Sequence, residues 1–431
     1  MLSRKTSHEI PAWMKLDNAA KIYPPARTRG WTAMFRLSIT LTEPVDPAAL
    51  EQAQEAVLKR IPTFAYRLRR GVFWYYFEHM RGAPQLQRDV GNPLVRMDFN
   101  ENGHFMYRVR YYKRRIAVEF FHALTDGTGG MSFLLTLAAE YLRVKYGLDI
   151  PAAGPILDPR DAPLPEEMED SFLKHARDVG ASRAERPAYH ARGIPEHTHF
   201  LNITTGIMPQ AAVVAKAKEL GVSVTALFAA LLIDSLQEIQ LTDPRARKRR
   251  LPVKVLVPVN LRRFYGAKTL RNFASYVNVG VDSRYGRWTF PEILNAVKHT
   301  MGLEISEKTL NARMSANVNA EKNILVRAMP LVLKAPFLRV MFILQGDRYN
   351  STTLSNLGEV VLPEAMRPYV ERLDFLLGVP VSNPVTCACV SYGGSVYLNF
   401  SRRTREPDIE RAFFTALVKM GVPVKVESNR R

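Results

Sequence analysis

Large apolar side chains take alternate positions from Ile116 to Phe120 in the stretch IAVEFFHALTDGTGG, which is the two-residue period of a β-strand. His122 is next in the same series, so it lies at the end of the predicted strand on its apolar side. After a turn at Asp126, apolar residues recur at helical spacing over residues 131–146. The stretch therefore predicts a strand, a sharp turn and a helix, with a histidine where the strand ends.

The rest of the first half contains further short strands and one clear helix. Asp46 and Pro47 provide a helix N-cap and a first-turn proline, so a helix is predicted from there to about Arg60. The other predicted strands are Trp31–Leu41, Phe64–Leu68, Val72–Phe77 and Phe105–Tyr112.

Residues 151–209 differ from their surroundings, with many prolines, mixed charge and one short helical candidate. A chain of 431 residues also exceeds what one ordinary core holds, so two domains are expected. We predict a first domain over residues 1–150, a crossover linker over residues 151–195 and a second domain over residues 196–431.

The second half repeats the mixture of strands and helices without a strict β-α-β rhythm. Its predicted helices are Gln210–Leu220, one capped by Ser223 that runs to about Ile239, one that starts at Thr289-Phe290-Pro291, and one from Pro407 to Gly421. Its predicted strands are His199–Ile207, Leu251–Val259, Ser275–Val281, Leu373–Leu377, Thr386–Tyr392, Ser395–Ser401 and a short one at Val422–Val426. Residues 325–344 form a basic, apolar and proline-broken helical region. We interpret it as a core or covering helix, with contact to a membrane surface as the alternative.

Composition places the chain among globular proteins, with 47% hydrophobic and 23% charged residues. The N-terminal residues contain no apolar core of signal-peptide length, so we expect a cytoplasmic protein. Cys387 and Cys389 are the two cysteines, and their spacing in a predicted strand places both on one face. This argues against a mutual disulfide and against a thiolate zinc site, so we expect reduced core cysteines and no bound metal.

The formal net charge of +19 predicts attraction to polyanions such as nucleic acid, anionic lipid, a phosphate-bearing cofactor or an acidic carrier protein. The sequence has no zinc-finger spacing, aromatic RNA-binding motif or recognition-helix unit, so we expect no nucleic-acid partner. A run of basic residues follows the predicted turn at Asp243. A solvated loop is the ordinary interpretation of that run, and a phosphate contact through Arg247, Lys248, Arg249 and Arg250 is the alternative.

His122 has the chemistry of a general base, because an imidazole titrates near neutral pH without much tuning. Asp126 could hold the ring or the turn in place. Gly127 is expected to supply backbone angles that other residues disfavour. The plainer alternative is a partly buried histidine beside an aspartate that only caps the next helix.

These residues, His122-Ala-Leu-Thr-Asp126-Gly127, resemble the HHxxxDG motif of the chloramphenicol acetyltransferase-like superfamily. That superfamily includes condensation domains, plant BAHD enzymes, wax ester synthases, alcohol acetyltransferases and polyketide-associated acyltransferases; the last two are the branches most similar in style. Three further segments are similar to the superfamily in the expected order: Gly221–Leu227, Val257–Arg263 with Asn272 and Phe273, and Thr353–Gly358.

The sequence departs from the superfamily pattern in two places. Phe121 replaces the first histidine of the motif, and strand alternation places it on the opposite face from His122. The DFGWG string of the plant BAHD enzymes is absent from the sequence, which argues against that branch.

The resemblance implies a mixed α/β fold of two similar subdomains, a pseudo-dimer with a central tunnel. It implies an acyltransferase in which His122 removes the proton from an acceptor while that acceptor attacks an acyl thioester. No acyl-enzyme is required, because the sequence has no G-x-S-x-G elbow. Acyl-CoA is the implied donor and a small-molecule or lipid alcohol the acceptor, with no permanently bound cofactor and, by analogy, a monomeric chain.

The resemblance also assigns provisional roles to other residues. Asp126 would form a structural salt bridge, for which Arg262 is the candidate partner. Ser355 or Asn356 would donate a hydrogen bond to the developing oxyanion, and Asn272 would line the same region or the tunnel.

Three other hypotheses stay open. A condensation-type enzyme would form amides or esters from donors bound to an acidic acyl carrier protein. A protein of the same fold could bind ligands without catalysis, which Phe121 leaves open. A peripheral membrane or polyanion-binding protein could carry the motif incidentally.

Overall fold

The described structure comprises helices and strands distributed along the whole chain. A computed structural model describes residues 10–27, 32–179, 185–197, 200–322, 327–341, 347–380 and 382–430. The helices are α1 Tyr23–Ala26, α2 Pro47–Arg60, α3 Gly127–Tyr146, α4 Pro165–Met168, α5 Ser171–His175, α6 Gln210–Glu219, α7 Val224–Leu241, α8 Arg262–Tyr265, α9 Phe290–Glu304, α10 Glu307–Lys322, α11 Leu331–Met341 and α12 Asp408–Lys419. The strands are β1 Trp13–Lys15, β2 Met34–Leu41, β3 Tyr66–Arg70, β4 Tyr75–His79, β5 Gln87–Arg88, β6 Tyr107–Tyr112, β7 Arg115–Phe121, β8 Asn202–Pro209, β9 Val253–Asn260, β10 Ala274–Val281, β11 Thr352–Glu359, β12 Val370–Leu377, β13 Val385–Tyr392, β14 Ser395–Arg402 and β15 Lys425–Ser428.

Within the described ranges these strands form three sheets. The five-stranded sheet has the order β12-β2-β7-β6-β5, the seven-stranded sheet has the order β10-β9-β11-β13-β14-β8-β15, and a small sheet has the order β1-β4-β3. Strand β7 lies in the middle of the five-stranded sheet, where it pairs antiparallel with β2 and β6. The strand that leads to His122 is therefore held on both edges. The expectation of a mixed α/β fold is confirmed.

Strand β12 connects the two halves of the chain. It comes from the second half, yet it pairs antiparallel with β2, with Phe375 opposite Leu37 and Leu377 opposite Phe35. Leu373 and Phe375 are buried in the same core as Phe35. The two halves therefore share a sheet. The predicted domain limits near residues 150 and 195 stay a prediction.

Two large cores hold the sheets and helices together. The first lies on the five-stranded sheet, where Phe35 stacks on Phe120 at 5.0 Å and Phe64 stacks on Phe133 of α3 at 4.5 Å between ring centroids. The second surrounds α7, whose Phe228 contacts Phe413 of α12. Burying such aromatic surface is a main stabilising contribution to both cores.

Helix α7 has the length and composition of a membrane span, but most of it is buried in the second core. Length and composition are therefore weak evidence of a span here. Cys387 and Cys389 on β13 are buried and not disulfide-bonded, as predicted.

Most predicted elements are present with shifted ends. The strand predicted to His122 ends at Phe121, and the helix predicted from Met131 begins at Gly127. Two predicted strands begin at Trp31 and His199, residues that lie outside the described ranges, as do residues 325–326 and 342–344 of the predicted region 325–344. The described part of that region contains α11.

Candidate active site

His122 follows directly after β7 and is fixed by the neighbouring strand end. Its backbone N–H donates to the Ala33 carbonyl at 2.8 Å. The imidazole stacks on the Tyr23 ring at 4.6 Å and 17° and meets Phe35 edge-on at 5.1 Å between centroids. Phe35 also stacks on Phe120, so the imidazole lies on the apolar side of β7 predicted from the alternation. The His122 side chain is half-buried and keeps contact with solvent.

Asn272 fixes the tautomer of His122. Its Oδ1 lies 3.2 Å from His122 Nδ1. Its Nδ2 donates to Asp17 Oδ2 and to the Ala123 carbonyl, each at 3.4 Å. The reverse amide orientation would place an oxygen against these acceptors, so the hydrogen-bond pattern assigns Oδ1 to face the imidazole. Nδ1 therefore carries the proton and donates to Asn272, which leaves the lone pair on Nε2.

The protonation state of His122 follows from its surroundings. Burial among aromatic rings lowers the pKa of the imidazole. A hydrogen bond to the backbone of His122 itself, the charge of Asp126 and the bond to Asn272 only partly offset this effect. The neutral form is favoured at neutral pH. An imidazole with a free Nε2 lone pair can accept a proton from a hydroxyl group.

Asp126 supports the turn and makes no described hydrogen bond to the His122 ring. Its Oδ1 accepts from the backbone N–H groups of Thr128 and Gly129, at 3.1 and 3.0 Å, which caps α3. Its Oδ2 accepts from Arg262 Nη1 and from the Phe273 N–H, both at 2.8 Å. Burial opposes ionisation, yet Arg262 and the backbone donors hold the pKa of Asp126 below its usual value.

Arg262 is the ion-pair partner of Asp126, as the resemblance to the superfamily suggested. Besides the carboxylate, it donates to the carbonyls of Thr269 and Arg271. One guanidinium therefore ties the turn after His122 to the loop that carries Asn272. The ion pair acts on His122 through this loop, and the capping interpretation of Asp126 is also correct.

The glycines of the turn are needed for space. Gly127 has no positive φ, so the expectation of unusual backbone angles there is wrong. A Cβ at Gly127 would lie 2.9 Å from Leu357 Cδ2, whereas a Cβ at Gly129 would lie 2.1 Å from the Leu270 carbonyl oxygen. Since that carbonyl belongs to the backbone, it cannot yield as a side chain would. Gly129 is where the turn requires a glycine most strongly.

The two oxyanion candidates on β11 lie on opposite faces. Asn356 Nδ2 donates to Thr225 Oγ1 on α7 at 3.1 Å, and its Oδ1 accepts from the Gly358 N–H at 2.8 Å. Its amide is thus committed away from His122. Ser355 alternates with Asn356 and shares a face with Leu357, the residue that approaches Gly127. Between the two, only Ser355 lies on the side of the motif.

Asn272 also differs from its predicted role. It was a candidate for oxyanion binding or for lining a tunnel, but its N–H groups point to Asp17 and Ala123. It presents an acceptor to the imidazole. Its hydrogen bonds therefore lie on the side of Arg262 and Asp126, and its oxygen faces the imidazole.

The basic run does not meet His122. Arg247, Lys248, Arg249 and Arg250 precede β9, whose far end at Asn260 bonds Thr128 Oγ1 of α3. The eight residues of β9 span about 23 Å. Arg249 Nη1 donates to the Asp243 carbonyl at 2.6 Å, so part of this guanidinium is already hydrogen-bonded. A phosphate contact by this run stays a prediction.

Phe121 lies on the face of β7 opposite His122. Phe121 packs on Phe99 at 5.3 Å with the Arg27 guanidinium nearby, and it is buried. Its ring is therefore part of the opposite side of the sheet from His122.

Within the described ranges no group of three His, Cys, Asp or Glu side chains is placed to hold a metal ion.

Sequence reasoning missed three residues around the imidazole: Tyr23, Phe35 and Asp17. Tyr23 and Asp17 lie about a hundred positions before His122 in a segment without a clear periodic pattern. Phe35 could have been found, because it alternates correctly in a predicted strand. The Tyr23-Pro24-Pro25 sequence signals a helix start, but nothing in it signals a histidine neighbour.

Comparisons with known proteins show the fold. No family model matches the chain, and no curated protein matches it. Solved structures match the chain. F. graminearum TRI101, complexed with coenzyme A and T-2 mycotoxin, matches with a TM-score of 0.62 and 12% identity over 96% of this chain and 99% of that chain. The trichothecene 15-O-acetyltransferase TRI3 from Fusarium sporotrichioides matches with a TM-score of 0.59 and 11% identity over 95% and 94%.

A condensation domain matches equally well. The domain from the Monacolin K polyketide synthase MokA has a TM-score of 0.59 and 11% identity, over 96% of this chain and 97% of that domain. The chain has the fold that acetyltransferases and condensation domains share. At such identities the likeness is one of fold, and the chemistry must be argued from the site itself.

Proposed function

We propose that this protein is an acyltransferase that moves an acyl group from acyl-CoA to a hydroxyl acceptor, with His122 as the general base. The observation that carries the proposal is the pairing of His122 Nδ1 with Asn272 Oδ1 at 3.2 Å, which leaves Nε2 as a proton acceptor on a residue that is only partly buried. The fold shared with a TRI3 acetyltransferase and a coenzyme A-bound TRI101 supports the choice of reaction.

The proposed reaction is a direct transfer. Nε2 of His122 takes the proton of the acceptor O–H group while the oxygen attacks the thioester carbonyl carbon. The tetrahedral intermediate then collapses, the C–S bond breaks, and the imidazolium returns its proton to the leaving thiolate. The products are an ester and free CoA, and no bond to the enzyme forms.

The neighbouring residues have separate roles in this proposal. Asn272 keeps His122 in the tautomer with the proton on Nδ1, and Tyr23 and Phe35 hold the plane of the ring. Asp126 and Arg262 keep the turn and the Asn272 loop together. Ser355 is the candidate donor to the oxyanion, where one such donor contributes about 3 kcal/mol.

We propose acyl-CoA as the donor substrate and a small-molecule or lipid alcohol as the acceptor. TRI101 is described with coenzyme A, and the net charge of +19 would attract the phosphates of that donor. A tunnel between two similar halves, with His122 inside it, belongs to the same proposal. We also propose that the protein is a monomer.

Thiol release from a panel of acyl-CoAs, with mixed alcohol and amine acceptors, tests the proposal. The wild type should release CoA only with a suitable acceptor, and His122→Ala should abolish this release. His190→Ala is a matched control, because His190 also pairs with an asparagine, through Nδ1 and Asn383 Oδ1 at 2.6 Å, outside this site. Full acceptor-dependent release by folded His122→Ala would refute the role of His122.

A condensation-type reaction is the second candidate, because a condensation domain shares the fold over 96% of this chain. It would use the same His122 chemistry on a donor bound to an acidic acyl carrier protein. Replacing acyl-CoA with a carrier-bound acyl group distinguishes the two. Turnover with the carrier-bound donor alone, lost in His122→Ala, would favour this candidate.

A further inference from the structure

The tip of the β3–β4 hairpin and helix α11 form one continuous surface. The Leu331 N–H at the start of α11 donates to the Val72 carbonyl at 2.7 Å. Lys334 is buried, its Nζ donates to the Phe73 carbonyl at 3.1 Å, and the same ammonium lies 3.7 Å from the centre of the Trp74 ring. These contacts fasten the hairpin tip to the helix, so the two segments are presented as a unit.

The outward side of this unit is apolar. Val72, Val332 and Leu333 are 72%, 66% and 65% exposed. Met329, Val340 and Phe73 are also exposed. A helix on the surface of a globular protein normally turns charged and polar residues to water, with its apolar stripe facing the core.

Helix α11 departs from this arrangement, because its exposed face is apolar and a charged residue lies on its inward side. The inward residues include Leu331 and the charged Lys334, whereas Val332, Pro336 and Val340 follow one exposed face at a spacing of four. Lys334 lies on the inward side, where it holds the hairpin. A contiguous exposed apolar surface of this kind marks a contact site.

Basic residues border the apolar surface. Arg69 and Arg70 directly precede the hairpin tip, and Arg327 precedes Met329 and α11; all three are exposed, and Arg69 also donates to Glu78 at 2.8 Å. The whole chain adds a net charge of +19. Apolar and aromatic side chains with arginines around them suit the boundary between anionic headgroups and acyl chains.

We propose that this surface, the Val72–Phe73 tip with the outer face of α11, docks on an anionic lipid bilayer. The apolar side chains enter the acyl boundary and the arginines contact the headgroups. Charge complementarity favours this occupant over a second copy of the chain, because two copies would bring the same arginines together.

The docking surface lies beside the candidate site. Helix α11 packs against α1, and Tyr23 of α1 stacks on His122. A bilayer on this surface would therefore be next to the element that covers the imidazole. Delivery of a lipid alcohol from the bilayer rests on the proposed function, whereas the docking itself does not.

Vesicle co-sedimentation with the full chain tests the docking. The wild type should bind vesicles of phosphatidylcholine with phosphatidylglycerol, and it should bind pure phosphatidylcholine vesicles much more weakly. The double variant Val332→Asp/Leu333→Asp and the single variant Phe73→Asp should each reduce binding at least about tenfold, since each removes apolar side chains from the contact. Arg70→Glu should weaken binding to the anionic vesicles in particular.

Val418→Asp is the matched control, because Val418 is 55% exposed on the outer face of α12, a helix whose buried side belongs to the second core. It should bind as the wild type does, and circular dichroism should show all variants folded. Equal binding by the control and the patch variants, or no binding of the wild type to anionic vesicles, would overturn the proposal. A concentration-dependent dimer that the double variant abolishes would assign the surface to a second copy instead. If the wild type binds anionic vesicles but shows no acceptor-dependent thiol release, only the proposed function is refuted.

Discussion

Asn272 decides which nitrogen of His122 is available for chemistry. Asn272→Ala removes the acceptor from Nδ1, so the imidazole can change tautomer and rotate between Tyr23 and Phe35. We expect kcat to fall about 10- to 100-fold with little change in KM, which corresponds to the loss of one buried hydrogen bond. Steady-state kinetics of thiol release measure this split.

Asn278→Ala provides the comparison, because it deletes another buried amide, one that bonds Glu185 at 3.0 Å. That variant should keep its kcat. Equal kcat values for Asn272→Ala and the wild type would contradict the orienting role.

The position of Phe121 predicts that the missing first histidine of the motif has little effect on the rate. Its side chain is buried against Phe99 on the face opposite the imidazole. Phe121→His should therefore leave the rate of thiol release unchanged and lower the free energy of unfolding by about 1–3 kcal/mol, because it buries a polar ring. Urea denaturation and a rate assay measure both effects. A large increase in rate would show that Phe121 limits the site.

At the scale of elements, the Asp126–Arg262 pair joins the start of α3 to the loop after α8. Asp126→Asn keeps a capping oxygen but leaves the Arg262 guanidinium uncompensated in a buried position. The free energy of unfolding should fall by about 3 kcal/mol at neutral pH. The pair of Asp158 and Arg160 is the control, because the Arg160 side chain is 71% exposed, and Asp158→Asn should cost at most about 1 kcal/mol.

The pH dependence gives this prediction a sign. The pKa of Asp126 is lower in the folded state than its ordinary value of 3.8, so the carboxylate contributes stability above that pH. The contribution is lost as the pH falls through the folded-state pKa. The difference between wild type and Asp126→Asn in urea denaturation should therefore shrink in acid. A difference that grows in acid would contradict the ion-pair account.

Local patterns predicted these elements well because their causes are local. Alternation placed Phe120 and His122 on one side of β7, and the Asp126-Gly127 sequence marked a turn. The start of α3 was placed four residues late, because glycines weaken the helical pattern even though Asp126 caps a helix at Gly127. Gly129 is explained by a carbonyl of Leu270, a contact that no local pattern contains.

At the scale of the whole molecule, the candidate site depends on contacts between distant segments. Asn272 reaches His122 from the second half of the chain, whose strand β12 pairs with β2 and whose Arg262 bonds Asp126. Tyr23 reaches the same ring from about a hundred residues earlier in the chain. The sequence predicted the mixed α/β class and the central histidine. It could not place Tyr23 on the ring, assign Asn272 to Nδ1 or show which of Ser355 and Asn356 faces the motif, since these follow from tertiary packing.

The most direct test of the central claim is acceptor-dependent thiol release by wild type and His122→Ala, followed from about pH 5 to pH 8. The account predicts loss of release of at least about 100-fold in His122→Ala, with His190→Ala close to the wild type. Because burial lowers the pKa of His122 from its ordinary 6.5, the wild-type rate should stay constant above that pH and fall only below it. Unchanged release by His122→Ala, with the same pH profile, would contradict the account.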